Sequence, residues 1–164
     1  MDRQQISLKL AIDCLGLPFQ ISNFEDRLIL QKAVYLAQAG GLHLGYYYHW
    51  YLHGPYCPSL TRDEYAIDYE LRQDVDESKG WKLDDESGER LRELRKLIPE
   101  GQGGEVRRKL ELLASVHFLV KRRQVHQNDT PEITMTLKRF NKDFSEEEVA
   151  NALRELVENG LLTG

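Results

Sequence analysis

The ten residues Leu28 to Ala37, LILQKAVYLA, set the tightest limit on what this chain can fold into. Wound into a helix, they are apolar on nearly every face, and such a helix belongs inside a domain rather than on its surface. Other helices must therefore surround it. Its ends carry the expected signals. Upstream, SNFE reads as a capping box, with Ser22 three residues before Glu25, and downstream Gly40 and Gly41 close the helix. Lys32, the one charge in the run, is the anomaly. A lysine in an apolar run must snorkel to solvent, pair with an acid or serve a site.

The flanking sequence supplies the surrounding helices. In ISLKLAIDCLGL the spacing places Ile6, Leu10 and Cys14 on one stripe with Ala11 and Leu15 beside it, and Gly16 and Pro18 stop the helix. YYYHWYL reads as a short extended segment that Gly54 and Pro55 end, and Pro58 suits the first turn of a following helix. That helix turns Leu60, Ile67 and Leu71 inward. KGWKLDDESGERLRELRKLI predicts a short strand or turn around Trp81, then a helix with Leu91, Leu94 and Ile98 inward. PEGQGG, Pro99 to Gly104, is the best linker and a potential lobe boundary. EVRRKLELLASVHFLVKRRQ is a long helix with Val106, Leu110, Leu113, Val116 and Val120 as its seam. QNDTPE reads as a turn, Thr134 to Phe140 as a short helix. Ser145 and Glu148 open a last helix that Gly160 ends. With 164 residues and 41 % apolar content, the expectation is one mainly α domain over 1–164. It has six or seven helices and a short aromatic strand or β-hairpin, with a winged-helix-like part as one arrangement.

Charge separates along the chain. Asp63 to Glu93 holds twelve acids and five bases, whereas Glu105 to Lys142 holds nine bases and four acids. A net charge of −5 argues against a general polyanion binder. The two cysteines, Cys14 and Cys57, form no CxxC pattern and suit a reduced, cytoplasmic protein. MDRQQISLKLAIDCLG does not read as a signal peptide, and no apolar run approaches the ~20 residues that span a bilayer. Membrane partners are therefore not expected.

HWYLHGPYCPSLTRD, His49 to Asp63, is the densest candidate for a site. His49, His53 and Cys57 recur at intervals of four, which would align zinc ligands on a helix. Gly54 and Pro55 interrupt that helix, and on an extended segment His49 and His53 stand about 13 Å apart. No metal or other cofactor is expected. Cys57 with His53 as base would make a nucleophile, but nothing marks an oxyanion hole, and a small buried residue at a helix start accounts for Cys57. No GxGxxG or P-loop is present. A non-enzymatic protein is the expectation. Lys32 and Tyr35, one turn apart on a helix, could instead form a binding face with His53 and Tyr56 laid over them; the alternative is that Tyr56 closes the core and Lys32 snorkels past it.

LQKAVYLAQ followed by YYYHWYLHGPYCPSLTRD resembles the pattern K-x-x-Y-L, a short aromatic strand, then G-P-[YF]-S-x-x-L-x-x-D of the YwgA-like family, related to the Panacea (SocA-like) antitoxin domain. Leu30 to about Asp63 carries the match; LELLASVHFLV and the last helix fit more loosely. The matching positions are Lys32, Tyr35, Leu36, Gly54, Pro55, Tyr56, Leu60 and Asp63. Cys57 departs from the family's serine. The resemblance implies a small helical module whose partner is another protein, either a toxin or a protease client. The expected partner-binding residues are Lys32, Tyr35, His53, Gly54, Pro55, Tyr56 and Asp63. The alternative is nucleic-acid binding by a winged-helix-like part, with Arg107, Arg108, Lys121, Arg122, Arg123, Lys138 and Arg139 meeting phosphates. Against it, the presumed recognition segment SEEEVANALRELVEN is acidic.

Overall fold

A computed structural model describes residues 1–101 and 103–164. Among them run seven α-helices and one two-stranded antiparallel sheet: α1 (Arg3–Cys14), α2 (Phe24–Ala39), β1 (His49–Tyr51), β2 (Gly54–Tyr56), α3 (Pro58–Arg72), α4 (Asp85–Leu94), α5 (Gly103–Lys121), α6 (Thr130–Arg139) and α7 (Glu146–Glu158). A 3₁₀ turn, Arg95–Leu97, extends α4. The mainly α architecture expected from periodicity is the one observed.

The apolar segment is central. Leu28, Leu30, Ala33, Val34, Leu36 and Ala37 are all buried, and α2 packs along α5 more extensively than any other pair of elements. α5 packs in turn on α7, which α6 covers, while α1, α3 and α4 close the other side. Every residue from Leu110 to Leu119 is buried, so α5 is a second core helix rather than a one-sided one with a single seam.

Several local expectations shift. The cap of α2 is Asn23, whose side chain accepts from the Asp26 N–H. The Ser22–Glu25 box does not form, and Glu25 accepts from Arg107 instead. The buried face of α1 is Leu8, Ala11 and Ile12, followed by Leu15, not the Ile6–Leu10–Cys14 stripe. Both stripes have helical spacing, and only the placement of α2 and α4 selects between them. Of the strand or turn expected around Trp81, the turn is what forms, closed by the Trp81 N–H on the Ser78 carbonyl, with Trp81 exposed. On α4 and its extension, Leu97 is fully buried while Ile98 is only partly so. α6 begins at Thr130, capped by Asp129 with Pro131 in its first turn, so QNDTPE is half cap rather than all turn. The proposed linker also contracts, since Gly103 and Gly104 already belong to α5; Gln102 lies outside the described residues.

Between α2 and β1 the chain is extended. Leu42, Leu44, Tyr46 and Tyr48 point inward and alternate with exposed His43, Gly45, Tyr47 and His49, the period of a β-strand. Among the described residues no strand pairs with this stretch. The Gln38 side chain of α2 bonds its backbone instead. The Gln38 amide donates to the Tyr46 carbonyl and accepts from the Tyr46 N–H, at 2.8 and 3.0 Å. The Tyr48 hydroxyl donates to the Gln31 carbonyl at 2.8 Å. Backbone that enters a core must find partners, and the Gln38 side chain provides both at Tyr46.

Candidate functional site

β1 and β2 make a hairpin, with Trp50 opposite Pro55 and Tyr51 opposite Gly54. Gly54 and Pro55 thus form the return strand rather than ending the first. Gly54 has φ 84°, a left-handed conformation that costs most side chains about 1–2 kcal/mol. A Cβ there would also fall 2.5 Å from the Ser115 Oγ of α5. Two independent constraints therefore select glycine at this corner.

Lys32 does not snorkel. Its side chain is wholly buried, and its ammonium donates to the Pro55 carbonyl at 2.5 Å. Burial pushes its pKa down to about 7; Glu111 opposes that shift and Lys142 adds to it. Glu111, buried on α5, is the hub of the group. It accepts from Lys142 at 2.9 Å and from Arg107 at 3.0 Å, and the His53 Nδ1 stands 3.7 Å away. Lys142 also donates to the Leu52 carbonyl at 3.3 Å. Burial lowers the pKa of His53, with Glu111 opposing. One carboxylate thus gathers charges from α5, the segment after α6 and the hairpin turn, and cations hold carbonyls on both sides of that turn.

The remaining expected site residues are also anchored inward. Tyr35 donates to the Nδ1 of His117 at 2.8 Å, and His117 Nε2 lies 3.2 Å from the Leu161 carbonyl. A carbonyl only accepts, so the proton is on Nε2 and Nδ1 receives the tyrosine hydroxyl. Burial takes the His117 pKa down to about 4, which keeps the ring neutral at physiological pH. Asp63 accepts from the Tyr46 hydroxyl at 2.7 Å and from Gln5 at 3.0 Å. Gln31 grips both backbone polar groups of Cys57, and the Cys57 thiol meets the Ser59 hydroxyl at 3.1 Å. Cys57 and His53 therefore have different partners, Ser59 and Glu111, and do not form the nucleophile–base pair considered from sequence. His49 lies on the exposed side of β1.

What reaches solvent is a strip of rings carried by this frame. Tyr51 and Tyr56 meet edge-on across the hairpin at 5.4 Å. Leu52, at the tip, is 76 % exposed. His53 meets Phe24 edge-on at 5.2 Å, and Arg27 lies 5.8 Å from the Phe24 ring and 6.0 Å from the Tyr65 ring. Phe24, Tyr51 and Tyr65 are each about half exposed. Of the residues expected at the site, His53 and Tyr56 join this strip and Lys32, Gly54 and Pro55 hold the hairpin from behind, whereas Tyr35 and Asp63 are bonded elsewhere in the interior, to His117 and to Tyr46 and Gln5. Phe24, Arg27, Tyr51, Leu52 and Tyr65 were missed, because exposed rings on separate elements leave no common spacing in a sequence.

The basic residues divide as well. Arg107 is paired with Glu25 and Glu111, and Arg108 with Glu148, so both are neutralised. Lys121, Arg122, Arg123, Lys138 and Arg139 are exposed and form no ion pair among the described residues. No helix is long and apolar enough to cross a membrane, and no three metal-ligating side chains converge, again among the described residues. Comparisons with family models, curated proteins and solved structures find no match to this chain.

Proposed function

We propose that this chain is a non-enzymatic protein-interaction module of the cytoplasm, antitoxin-like or adaptor-like, whose hairpin corner docks another protein, a toxin or a protease client. The observation that carries the reading is the exposed strip from Tyr51 and Leu52 through His53 and Phe24 to Arg27 and Tyr65. Tyrosine and arginine dominate the energetics of protein interfaces, and contiguous exposed apolar surface marks binding sites. The frame behind the strip supports the reading as well. A hairpin pinned by buried charges presents its rings with little conformational freedom to lose on binding. The resemblance of Leu30 to Asp63 to the YwgA-like and Panacea pattern supplies the antitoxin or adaptor direction.

The test places a photo-crosslinking residue at Leu52 or, as a control, at Trp81, an exposed position in the α3–α4 loop. A discrete partner captured from position 52 but not from 81, and lost in Phe24→Ser and Tyr51→Ser variants that unfold at the unmodified temperature, is the expected result. The same species captured from both positions, or none from position 52, would remove the hairpin corner from the reading.

A further inference from the structure

A second concave region lies on the opposite side of β1 and has no part in the reading above. It is a groove of about 570 Å³ between the end of α5 and α6, lined among others by Trp50, Phe118, Arg122, Glu132, Arg139 and Phe140. That volume lies within the range of small-ligand clefts. Its floor is aromatic. Trp50 stands 4.9 Å from Phe140 and 5.7 Å from Phe118, ring centre to ring centre. Arg122 lies 4.7 Å over the Phe118 ring and donates to the Tyr48 carbonyl at 3.3 Å, which fixes its guanidinium at the rim. Among the described residues, Arg139 has only the Met135 sulfur as a hydrogen-bond partner, 3.8 Å away.

Charge decides what such a floor accepts. The segment from Lys121 to Lys142 carries six lysines and arginines against Asp129 and Glu132, in a chain of net charge −5. Lys142 is committed to Glu111. The other five form no ion pair among the described residues, unlike Arg107 and Arg108 near the start of α5. Lys121, Arg123 and Lys138 do not line the groove, so Arg122 and Arg139 are its two lining cations. Rings that stack bases beside a track of cations that follows phosphates are the two parts of a single-strand binding surface. Glu132 is the one acid in the lining. A carboxylate repels phosphate but accepts from the exocyclic amine of cytosine.

We infer that this groove binds single-stranded nucleic acid, with a base against Trp50 and Phe140 and its phosphates on Arg122 and Arg139. The surface is separate from the hairpin corner; it takes Arg122 and Arg139 from the nucleic-acid alternative but needs no winged helix. It uses neither α7 nor Arg107 and Arg108.

The chain has two tryptophans, so a Trp81→Phe protein leaves Trp50 as the only indole reporter. This protein is titrated at low salt with oligocytidylate and oligouridylate single strands, a duplex, AMP and inorganic phosphate. Single strands should quench Trp50, cytidylate more tightly than uridylate. Phe140→Ala should weaken binding by about tenfold, the scale of one lost base stack. Arg139→Gln should lower the slope of log affinity against log salt by about 0.7, one phosphate contact, and Arg139→Lys should retain it. Absence of quenching by single strands, duplex binding of equal strength, binding of AMP alone, or single-strand binding indifferent to both the Phe140 and Arg139 variants would each overturn the inference.

Discussion

Replacing Glu111 by Gln tests whether the charged group behind the hairpin is a buried network. The substitution preserves volume, so no cavity term enters. It removes the charge that faces Lys142, whose side chain is 4 % exposed, at 2.9 Å, and that opposes the burial shift of Lys32. Breaking a buried pair by neutralising one partner costs about 3–5 kcal/mol, because the other charge stays buried without compensation. In a chain of this length each kcal/mol moves the unfolding midpoint by about 2–4 °C, so a loss of roughly 6–20 °C is expected. The pH dependence has a definite sign. Lys32 binds its proton up to about 10.5 when unfolded and only to about 7 when folded. Between those values the unfolded state holds more protons, so this group's contribution makes stability rise with pH. Without Glu111 the folded pKa falls further and the window opens lower. The deficit of Glu111→Gln should therefore be larger near about pH 6 than near about pH 9, as read by urea unfolding at both. The double variant Glu111→Leu, Lys142→Met should be far less damaged than the sum of its parts, since an apolar pair of similar size replaces a buried ion pair at little cost. A loss under about 1 kcal/mol that is equal at both pH values is what exposed pairs give, and would refute the buried-network account.

Two further perturbations probe the same frame. Glu64 on α3 is fully buried with neither carboxylate oxygen hydrogen-bonded among the described residues, and burial pushes its pKa from 4.5 up to about 8. The folded state therefore holds the extra proton on Glu64 between those values, so this group's contribution to stability falls as pH rises through that window; Glu64→Leu should gain stability relative to the unmodified chain as pH rises across it, by on the order of 1–3 kcal/mol at neutral pH, as measured by urea unfolding of both proteins across pH. Gly54→Ala should destabilise through both its left-handed backbone and its clash with Ser115; Ser115→Ala, which deletes an unpartnered buried hydroxyl, should be neutral or stabilising alone and should rescue the clash but leave the backbone cost of about 1–2 kcal/mol in the double variant, by thermal unfolding.

Much of the helical framework is legible along the chain because its causes are local. The largely apolar run of α2, the capping box at Ser145 and Glu148, and Gly16 and Gly160 in left-handed conformations act within a turn or two of themselves. Lys32 was conspicuous for the same reason, as one cation in an apolar run. Its fate was not legible. Whether it snorkels or pairs depends on Pro55, Glu111 and Lys142, which lie far away in sequence, and a periodicity carries no record of which distant groups will meet. The stripe of α1 could not be chosen locally either, since two faces had helical spacing and only the position of its neighbours buried one. The same holds for both surfaces. Phe24, Arg27, His53 and Tyr65 converge only because α2, α3 and the hairpin tip are brought together. Trp50, Phe118 and Phe140 share a groove only because β1, α5 and the end of α6 do. Local sequence determined where the helices run and which segment is central; tertiary packing decided which charges are buried and which rings are left for a partner, because those outcomes depend on free energies of desolvation and contact that exist only once the helices have met.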